Sequence, residues 1–420
     1  MKDDILDRLI VWSGGGAAGV LTINRSGAMA FAYDPEWIEN DARAPLSHAL
    51  PKRADPYDDA LCKAVFGGLL PEEDQRVAVA RALGVSRENV FRLLERLGGD
   101  VAGALAFLPE GEEPPARPTG KPSPALSDKE LAALIEDLPA SPMLAGKGGA
   151  RLSLAGAQGK LPVIRANGGI ATPRVGEAST HLIKPEPERF PGLAANEAYC
   201  LALAQACGLD AAVGEWREAS GKPYLLVERY DRVEVDGETR RLHQEDFAQA
   251  LGVASHQKYA AEGGPTFKDS FDLVREVATR PAVEVLKLVD AAIFNLIIGN
   301  ADAHAKNYSF LTRADGSVGL APLYDLVSTI MFDGISDNFA MRFGRAARLE
   351  DFDKQALAHF AQDVGMSPTF MKRRISKMSE KVSSAATALE VQGLDDTARL
   401  NGLPAIVQDR AERLKLKLAA

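Results

Sequence analysis

Apolar and polar positions alternate in short runs at the start of the chain, in "LIVW", "GVLTINRSG" and "AMAFAYD", with glycine-rich breaks between them. Period-two alternation bounded by turn residues predicts short strands. From Leu61 to Leu108 the pattern changes to the spacing of amphipathic helices. A small α+β domain over residues 1–108 is expected. The triplet in "SGGGAAG", residues 13–19, precedes strand-like "VLTIN" and not a helix, so it reads as a hairpin turn; a phosphate cradle wants a helix N-terminus there. The pattern fails over residues 109–128, "PEGEEPPARPTGKPSPALSD", where six prolines and two glycines displace it, and this stretch is expected to be a linker. Beyond it strand-like and helix-like runs alternate to about residue 325, and helical spacing dominates thereafter.

Two features of that second part stand out. Residues 223–243, "PYLLVERYDRVEVDGETRRLH", carry an Asp236–Gly237 turn between β-rich flanks, a hairpin signal. From Val283 to Ile298, Leu286, Val289, Ile293, Leu296 and Ile297 recur at helical spacing, and Gly299 is placed as a C-terminal stop. Asn300, Asp302, His304, Lys306 and Asn307 follow at once, before Tyr308. A core segment could not bury that density of polar groups unpaired, so the stretch is a loop leaving a buried helix.

Composition narrows the possibilities without choosing among them. At 46% hydrophobic and 25% charged residues, the 420-residue chain is an ordinary globular protein of two or three domains. No run reaches the roughly 20 apolar residues of a membrane span, which points to a cytoplasmic protein. Cys62, Cys200 and Cys207 lack C-x-x-C spacing and read as buried apolar side chains. A net charge of −9 opposes free-standing, non-specific nucleic-acid binding.

The polar loop has a chemical reading. Asp302 and Asn307 stand in the D-x-x-x-x-N spacing of kinase catalytic loops, where Asp takes the substrate hydroxyl proton and Asn binds magnesium. Tyr308 to Thr312 and Val318 to Pro322 flank an Asp315–Gly316 turn, so a hairpin folds Asn307 back beside Tyr324 and Asp325. Asp325 would then be the carboxylate that holds magnesium against the phosphates. Lys184, in "STHLIKP", ends a β-like run stopped by Pro185 and could position phosphates, although taken by itself it reads as an exposed strand-end lysine. A helix expected over residues 196–209 carries Glu197 in its first turn, where it could pair with Lys184. "RLSLAGAQGKLPV", residues 151–163, matches neither a P-loop nor G-x-G-x-x-G. Small Ala155, Gly156 and Ala157 would still let a hairpin approach a nucleotide, although an ordinary turn has the same composition.

Taken in order, "SLAGAQGK", "STHLIKP", "NEAYCLALAQACGL", "LLVERYDR", "RLHQEDF", "GNADAHAKNYSF" and "LAPLYDLVS" resemble the HipA family of serine/threonine kinase toxins. "AFAYDPEWI", "APLSHALP" and "FGGLLPE" are similar to that family's N-terminal domain. The resemblance implies an α+β, two-lobed protein-kinase-like fold with a small α+β N-terminal domain and a mostly helical C-terminal lobe. Residues 129–235 would form the N-lobe with nucleotide loop and hinge, and residues 236–420 the C-lobe.

It further implies ATP and Mg2+ as cofactors, Asp302 as catalytic base, and Asn307 and Asp325 as magnesium ligands. Lys184 becomes the phosphate-positioning lysine and Ala155, Gly156, Ala157, Gln158, Gly159 and Lys160 the phosphate loop. Gly159 departs from the family's G-A-Q-E-K form, which puts only the role of that position in question. Glu228 and Tyr230 would meet adenine through their backbone, Asp231 would lie near the ribose, and His304 and Lys306 would touch phosphates. Tyr324 belongs to the same site, and Ser153 matches a position of autophosphorylation, an off-switch. Family members pair with a HipB-like helix-turn-helix antitoxin that carries operator DNA, and the best-known family substrate is glutamyl-tRNA synthetase. The basic run "MKRRISK", residues 371–377, either adds DNA contacts or is a solvated helix face. An aminoglycoside-phosphotransferase type of small-molecule kinase and a non-enzymatic co-repressor are the competing readings.

Overall fold

A computed structural model describes residues 5–116, 118–119, 123–138, 158–166, 168–394 and 396–419. The alternating runs at the start form β1 (Ile5–Ser13), β2 (Gly16–Asn24) and β3 (Met29–Tyr33). Gly14 and Gly15 have φ of 52° and 79°, the left-handed pair that a two-residue hairpin loop requires, and Ser13 faces Gly16 across it. Helices α1 (Pro35–Glu39), α2 (Asp59–Val65), α3 (Glu73–Leu83) and α4 (Val90–Leu97) follow. Within the stretch expected to be helical, Leu105–Pro109 is instead a strand, β4, antiparallel to β1. "LAFLP" is too short and too evenly apolar for periodicity to assign, and pairing with the edge of β1 decides it. The sheet runs β3-β2-β1-β4 over a core that includes Phe31, Phe66, Phe91 and Phe107.

The next unit opens with α5 (Asp128–Asp137), started by a Ser127–Glu130 capping box. Strands β5 (Leu161–Ala166), β6 (Gly169–Ala171) and β7 (His181–Pro185) lead into α6 (Leu193–Ala206). With β8 (Gly214–Ala219) and β9 (Lys222–Glu228) they make an antiparallel sheet in the order β6-β5-β7-β9-β8. Helix α6 starts at Leu193, ahead of the expected Asn196, because Gly192 turns the chain into it at φ 86°. Glu197 therefore lies in its second turn and not its first. Gly208, at φ 80°, follows its end.

A mainly helical lobe follows. It comprises the hairpin of β10 (Arg232–Val235) and β11 (Glu238–Arg241), then β12 (His243–Asp246), α7 (Phe247–Ala250), α8 (Phe267–Val277) and α9 (Pro281–Ile298). Strands β13 (Ser309–Thr312) and β14 (Val318–Leu320) flank Asp315–Gly316 and join β12 in a three-stranded sheet. A hairpin of β15 (Asn338–Phe343) and β16 (Ala346–Arg348) interrupts the segment expected to be helical before α10 (Lys354–Val364), α11 (Pro368–Ala385) and α12 (Leu403–Ala419). Ile293, Phe294, Ile297 and Ile298 of α9 are buried, and the helix packs on α8, α11 and α12. Among the described residues no helix is long and apolar enough to cross a membrane. The three cysteines are free and buried.

The N-terminal unit is fastened to the rest by buried charge. Asp100 receives Arg232 at 2.8 Å and Arg241 at 3.2 Å. Asp231 receives Arg229 at 2.7 Å and the Gly103 N–H at 2.7 Å. Gly103 is a required glycine: its φ is 79°, and a Cβ there would come within 2.8 Å of the Gln244 nitrogen. Burial alone would raise the Asp100 carboxyl, but the three arginines outweigh it and hold the pKa down at about 2. Arg229→Met leaves two buried carboxylates short of their counter-charge and should cost about 3–5 kcal/mol of stability. The urea midpoint measures this, with Lys268→Met, at an exposed helix pair, as the substitution that leaves it unmoved.

Candidate active site

The polar loop is held from beneath by amides. Gly299, at φ 76°, ends α9, and the chain doubles back so that Asn300 Nδ2 donates to Asn295 Oδ1 at 2.8 Å. Asn295 in turn donates to the Tyr308 hydroxyl at 3.1 Å, and the Asp302 N–H donates to Asn300 Oδ1 at 3.1 Å. Thr329 closes the other side, its Oγ1 accepting from the Ala301 N–H at 3.0 Å and donating to the Gly299 carbonyl at 3.0 Å. The start of the loop, from Gly299 to Asp302, is thus tied to buried Asn295, Asn300 and Thr329 side chains. The Asp302 side chain itself opens to solvent on one face. Crowding within the cleft raises its pKa; Lys258 and a hydrogen bond from Tyr259 oppose the rise, and Asp325 adds to it. Asn307 Oδ1 accepts from the His304 N–H at 3.3 Å, which turns it back into the same loop.

Lys184 is buried at the end of β7, not exposed. Its ammonium meets Glu197 of α6 at 2.6 Å and is hydrogen-bonded to Asp325 Oδ1. Burial disfavours the ammonium, but Asp325 and Glu197 more than offset it and raise the Lys184 pKa. Asp325 is held ionised, well below the usual carboxylate range, by Lys184 and Lys160 against its own burial. Its backbone has φ 52°, the left-handed region that costs a non-glycine residue of order 1 kcal/mol and marks a constrained site. Tyr324 just before it is stacked on Tyr230 at 5.8 Å and its hydroxyl donates to the Lys306 carbonyl at 2.7 Å.

These groups share one cavity of about 320 Å3 between the strand-rich and helical lobes, the size range of small-molecule sites. Asp302, His304, Lys306, Asn307, Tyr324 and Asp325 line it from the helical side, Lys184 from the sheet with Gln158 and Lys160 from the approach to β5, and Glu228, Tyr230 and Asp231 from the connection between lobes. Gln158 is fixed by donating to the Pro185 carbonyl at 3.2 Å, and burial pushes the Lys160 ammonium down. Gly159 lies near Gln75 of the N-terminal unit. Burial lowers His304 to about 3, so it is a neutral imidazole. Ser153, Ala155, Gly156 and Ala157 lie outside the described residues. Among the described residues no group of three or more His, Cys, Asp or Glu stands at metal-holding spacing. The hard-oxygen pair Asn307 and ionised Asp325 suits magnesium, which takes one or two protein ligands and fills its octahedron with phosphate oxygens and water.

Two residues that line the cavity have their charges already paired within the protein. The Lys306 ammonium, expected on phosphate, is taken by Asp246 at 2.6 Å, the Gly68 carbonyl at 3.3 Å and Glu72 at 3.5 Å. The Asp231 carboxylate, expected near ribose, is taken by Arg229, Arg232 and Gly103. Both charges are buried and paired, and pulling them to a ligand would strand their partners. Conversely, Glu72, Asp246, Lys258, Tyr259, Asn295, Asn300 and Thr329 were given no role by sequence reasoning. Asp246 and Glu72 carry a signal that could have found them, each being an acid set against a strongly apolar run, "DFAQAL" and "FGGLLP".

In "MKRRISK", Met371 and Ile375 are buried in α11, and Arg374 is spent on Asp290 at 2.6 and 2.7 Å. Lys372, Arg373 and Lys377 remain exposed.

Comparison with known proteins gives the same picture along the whole chain. The HipA-like C-terminal domain matches residues 152–386 and the HipA N-terminal domain residues 9–108. Y4mE of Sinorhizobium fredii is 47% identical over 417 residues, covering 98% of this chain and 99% of its own. The serine/threonine-protein kinase toxin HipA of Shewanella oneidensis is 31% identical over 376 residues, 85% of this chain and 83% of that one. The solved complex of Shewanella oneidensis HipA with HipB and its operator DNA superposes with a TM-score of 0.83 at 28% identity, over 96% of this chain and 97% of that one. With both domain matches in sequence order, a kinase-like two-lobed architecture, and a HipA relative 31% identical over 85% of this chain, this chain belongs to the HipA family of kinases.

Proposed function

We propose that this chain is the kinase toxin of a toxin–antitoxin module, transferring the ATP γ-phosphate to a serine or threonine hydroxyl of a protein. One observation carries the reading: Lys184, Glu197, Asp302, Asn307 and Asp325, drawn from four separate segments, converge on a single interlobe cavity. In the step, the hydroxyl oxygen bonds to the γ-phosphorus while Asp302 takes its proton. The bond from phosphorus to the β–γ bridging oxygen breaks, and ADP leaves with that electron pair. Lys184, oriented by Glu197, meets the phosphates. Gln158, Gly159 and Lys160, with Ala155, Gly156 and Ala157, cover them, and neutral His304 offers a hydrogen bond to them. Asn307 and Asp325 would hold magnesium, which would supply charge neutralisation to the phosphates. The Glu228 N–H donates to the Val213 carbonyl at 2.9 Å, which leaves the Glu228 carbonyl as its atom for the adenine edge, and Tyr230 follows it in the hinge.

The division into an N-terminal domain, linker, N-lobe and C-lobe at residues 1–108, 109–128, 129–235 and 236–420 belongs to the same reading. So do a cytoplasmic location, a HipB-like helix-turn-helix antitoxin carrying operator DNA, and an aminoacyl-tRNA synthetase such as glutamyl-tRNA synthetase as substrate. The HipB and DNA of the Shewanella complex support the partner assignment. The charge of −9 is consistent with a partner that supplies most phosphate contacts.

Asp302→Asn should fold normally and lose transfer of labelled γ-phosphate to protein in a host lysate by roughly 10²- to 10⁴-fold. Near-parental transfer would sink the assignment of the base. Asp325→Ala should weaken magnesium-dependent ATP binding more than Asp302→Asn does, since it strips charge compensation from the phosphates; calorimetry with and without magnesium compares the two. Ser153 should gain a phosphate on incubation with magnesium-ATP, at a rate rising with protein concentration, and the modified form should be inactive because roughly −1.5 to −2 of added charge repels ATP. Mass spectrometry beside Asp302→Asn tests this, and an unmodified Ser153 after prolonged incubation would remove the off-switch.

A further inference from the structure

The segments that carry Lys184, Asp325 and Asp302 meet a second time, behind the cavity. Helix α6 supplies Glu197, which holds Lys184, and directly before it Asn196, which is buried and forms no part of the cavity wall. Asn196 grips one backbone residue from both sides: its Nδ2 donates to the Ser328 carbonyl at 3.2 Å, and its Oδ1 accepts from the Ser328 N–H at 2.8 Å. The other end of the Asp325 segment is anchored just beyond the end of the same helix. There the Leu323 N–H donates to the Asp210 carbonyl and the Ala212 N–H to the Leu323 carbonyl, both at 2.8 Å. Asp325 is thus strung between two anchors that belong to α6. Thr329, next after Ser328, carries the contact on to the polar loop. Its N–H and its Oγ1 both donate to the Gly299 carbonyl, at 3.1 and 3.0 Å, and the Oγ1 accepts from the Ala301 N–H at 3.0 Å, one residue before the base. An unbroken series of printed-length hydrogen bonds therefore runs from α6 to Asp302.

We propose that Asn196 and Thr329 are positioning residues that hold Lys184, Asp325 and Asp302 in one register. The proposal rests on the phosphotransfer reading above. Lys184 is bonded to Asp325 in the structure, but in the reaction the lysine meets phosphates and the carboxylate meets magnesium. Their mutual bond is given up at that point, so it cannot be what keeps the two aligned during the step. Asn196 and Thr329 use amide, hydroxyl and backbone groups that the reaction does not draw on, and their bonds persist when the ion pair opens. Being buried, each backbone group they satisfy has no water to turn to instead, which makes the register costly to lose. The requirement is strict, because a displacement of about 1 Å at a reacting group can cost on the order of 100-fold in rate. Asn196 sets the lysine's helix against the Asp325 segment, and Thr329 sets that segment against the base.

The test uses the full chain, magnesium-ATP, and casein as a generic acceptor, reading phosphate incorporated into casein and into the chain itself together with ADP release. Asn196→Leu keeps the bulk of the side chain and loses both bonds to Ser328; Thr329→Val exchanges the hydroxyl for a methyl of the same shape. Each should lower kcat about 10- to 100-fold while KM for ATP stays within about three-fold of the parent. Thr329→Ser restores the hydroxyl and should recover most of the loss. Ser384→Ala removes an exposed hydroxyl that bonds the Glu380 carbonyl on α11, far along the chain from the site, and should match the parent. Thr329→Val keeps the test open should Asn196→Leu fail to fold. Parental kcat in a folded Thr329→Val protein would overturn the proposal. So would a rise in KM alone, which assigns the residue to nucleotide binding, a Thr329→Ser protein as slow as Thr329→Val, or an equal loss in Ser384→Ala. Asp302→Asn separates the two levels. A parent chain no more active than Asp302→Asn removes the phosphotransfer reading and this proposal with it, whereas an active parent matched by Thr329→Val removes this proposal alone.

Discussion

An ammonium group cannot stay buried without opposite charge around it, and the site is organised by that constraint at Lys184. Its strand, β7, supplies the cation; Glu197 arrives from α6 and Asp325 from beyond β14. The three belong to elements on both sides of the cleft, so satisfying one buried charge fixes how the strand-rich lobe sits against the helical one. Two carboxylates share one cation, and the cost is unequal: Asp325 is held ionised while burial raises Glu197. A carboxylate kept charged at the cavity wall is also what a magnesium ligand has to be, so the packing demand and the proposed chemistry select the same residue.

The same device recurs where the N-terminal unit meets the rest. Asp100 and Asp231 gather arginines, and Glu72 and Asp246 gather Lys306, each pair of acids coming from both sides of the join. Apolar packing is distributed differently. Phe31, Phe66, Phe91 and Phe107 belong to one core, and Phe267, Phe343 and Phe360 to another. Greasy surfaces thus stabilise each unit, and buried charge specifies how the units dock.

Much of this was legible in the sequence because it is local. The Asp236–Gly237 and Asp315–Gly316 turns, the Gly299 stop and the run of α9 depend on residues a few positions apart, and the hairpin after Asn307 was enough to bring Asp325 to the loop. The Lys184–Glu197 pair was legible too, although the start of α6 was misplaced because Gly192 does not read as an N-cap. What could not be read was competition for charge across long separations. Lys306 is claimed by residues 60 and more positions away, and Asp231 by a backbone amide 128 positions away. The claimants of Lys306 share no window of the chain with it, and although Arg229 and Arg232 stand beside Asp231 in sequence, nothing local shows that they and the Gly103 amide close on its carboxylate, so both residues looked available for nucleotide. β4 failed for a related reason, since five apolar residues do not say whether an open sheet edge awaits them.

The arginine cluster around Asp100 and Asp231 has a consequence for how the molecule meets solvent. Interfaces sealed by oil are loosened by anything that solvates hydrocarbon, whereas this one is sealed by planar guanidinium groups laid against carboxylates. Free guanidinium ion is the side chain's own head group released from its tether, and it competes directly for those two acids. Urea, being neutral, does not. The seam between the N-terminal unit and the rest is therefore disproportionately sensitive to guanidinium salts, beyond the roughly two-fold greater potency they have on exposed surface in general, and it would part while each unit still holds its own aromatic core.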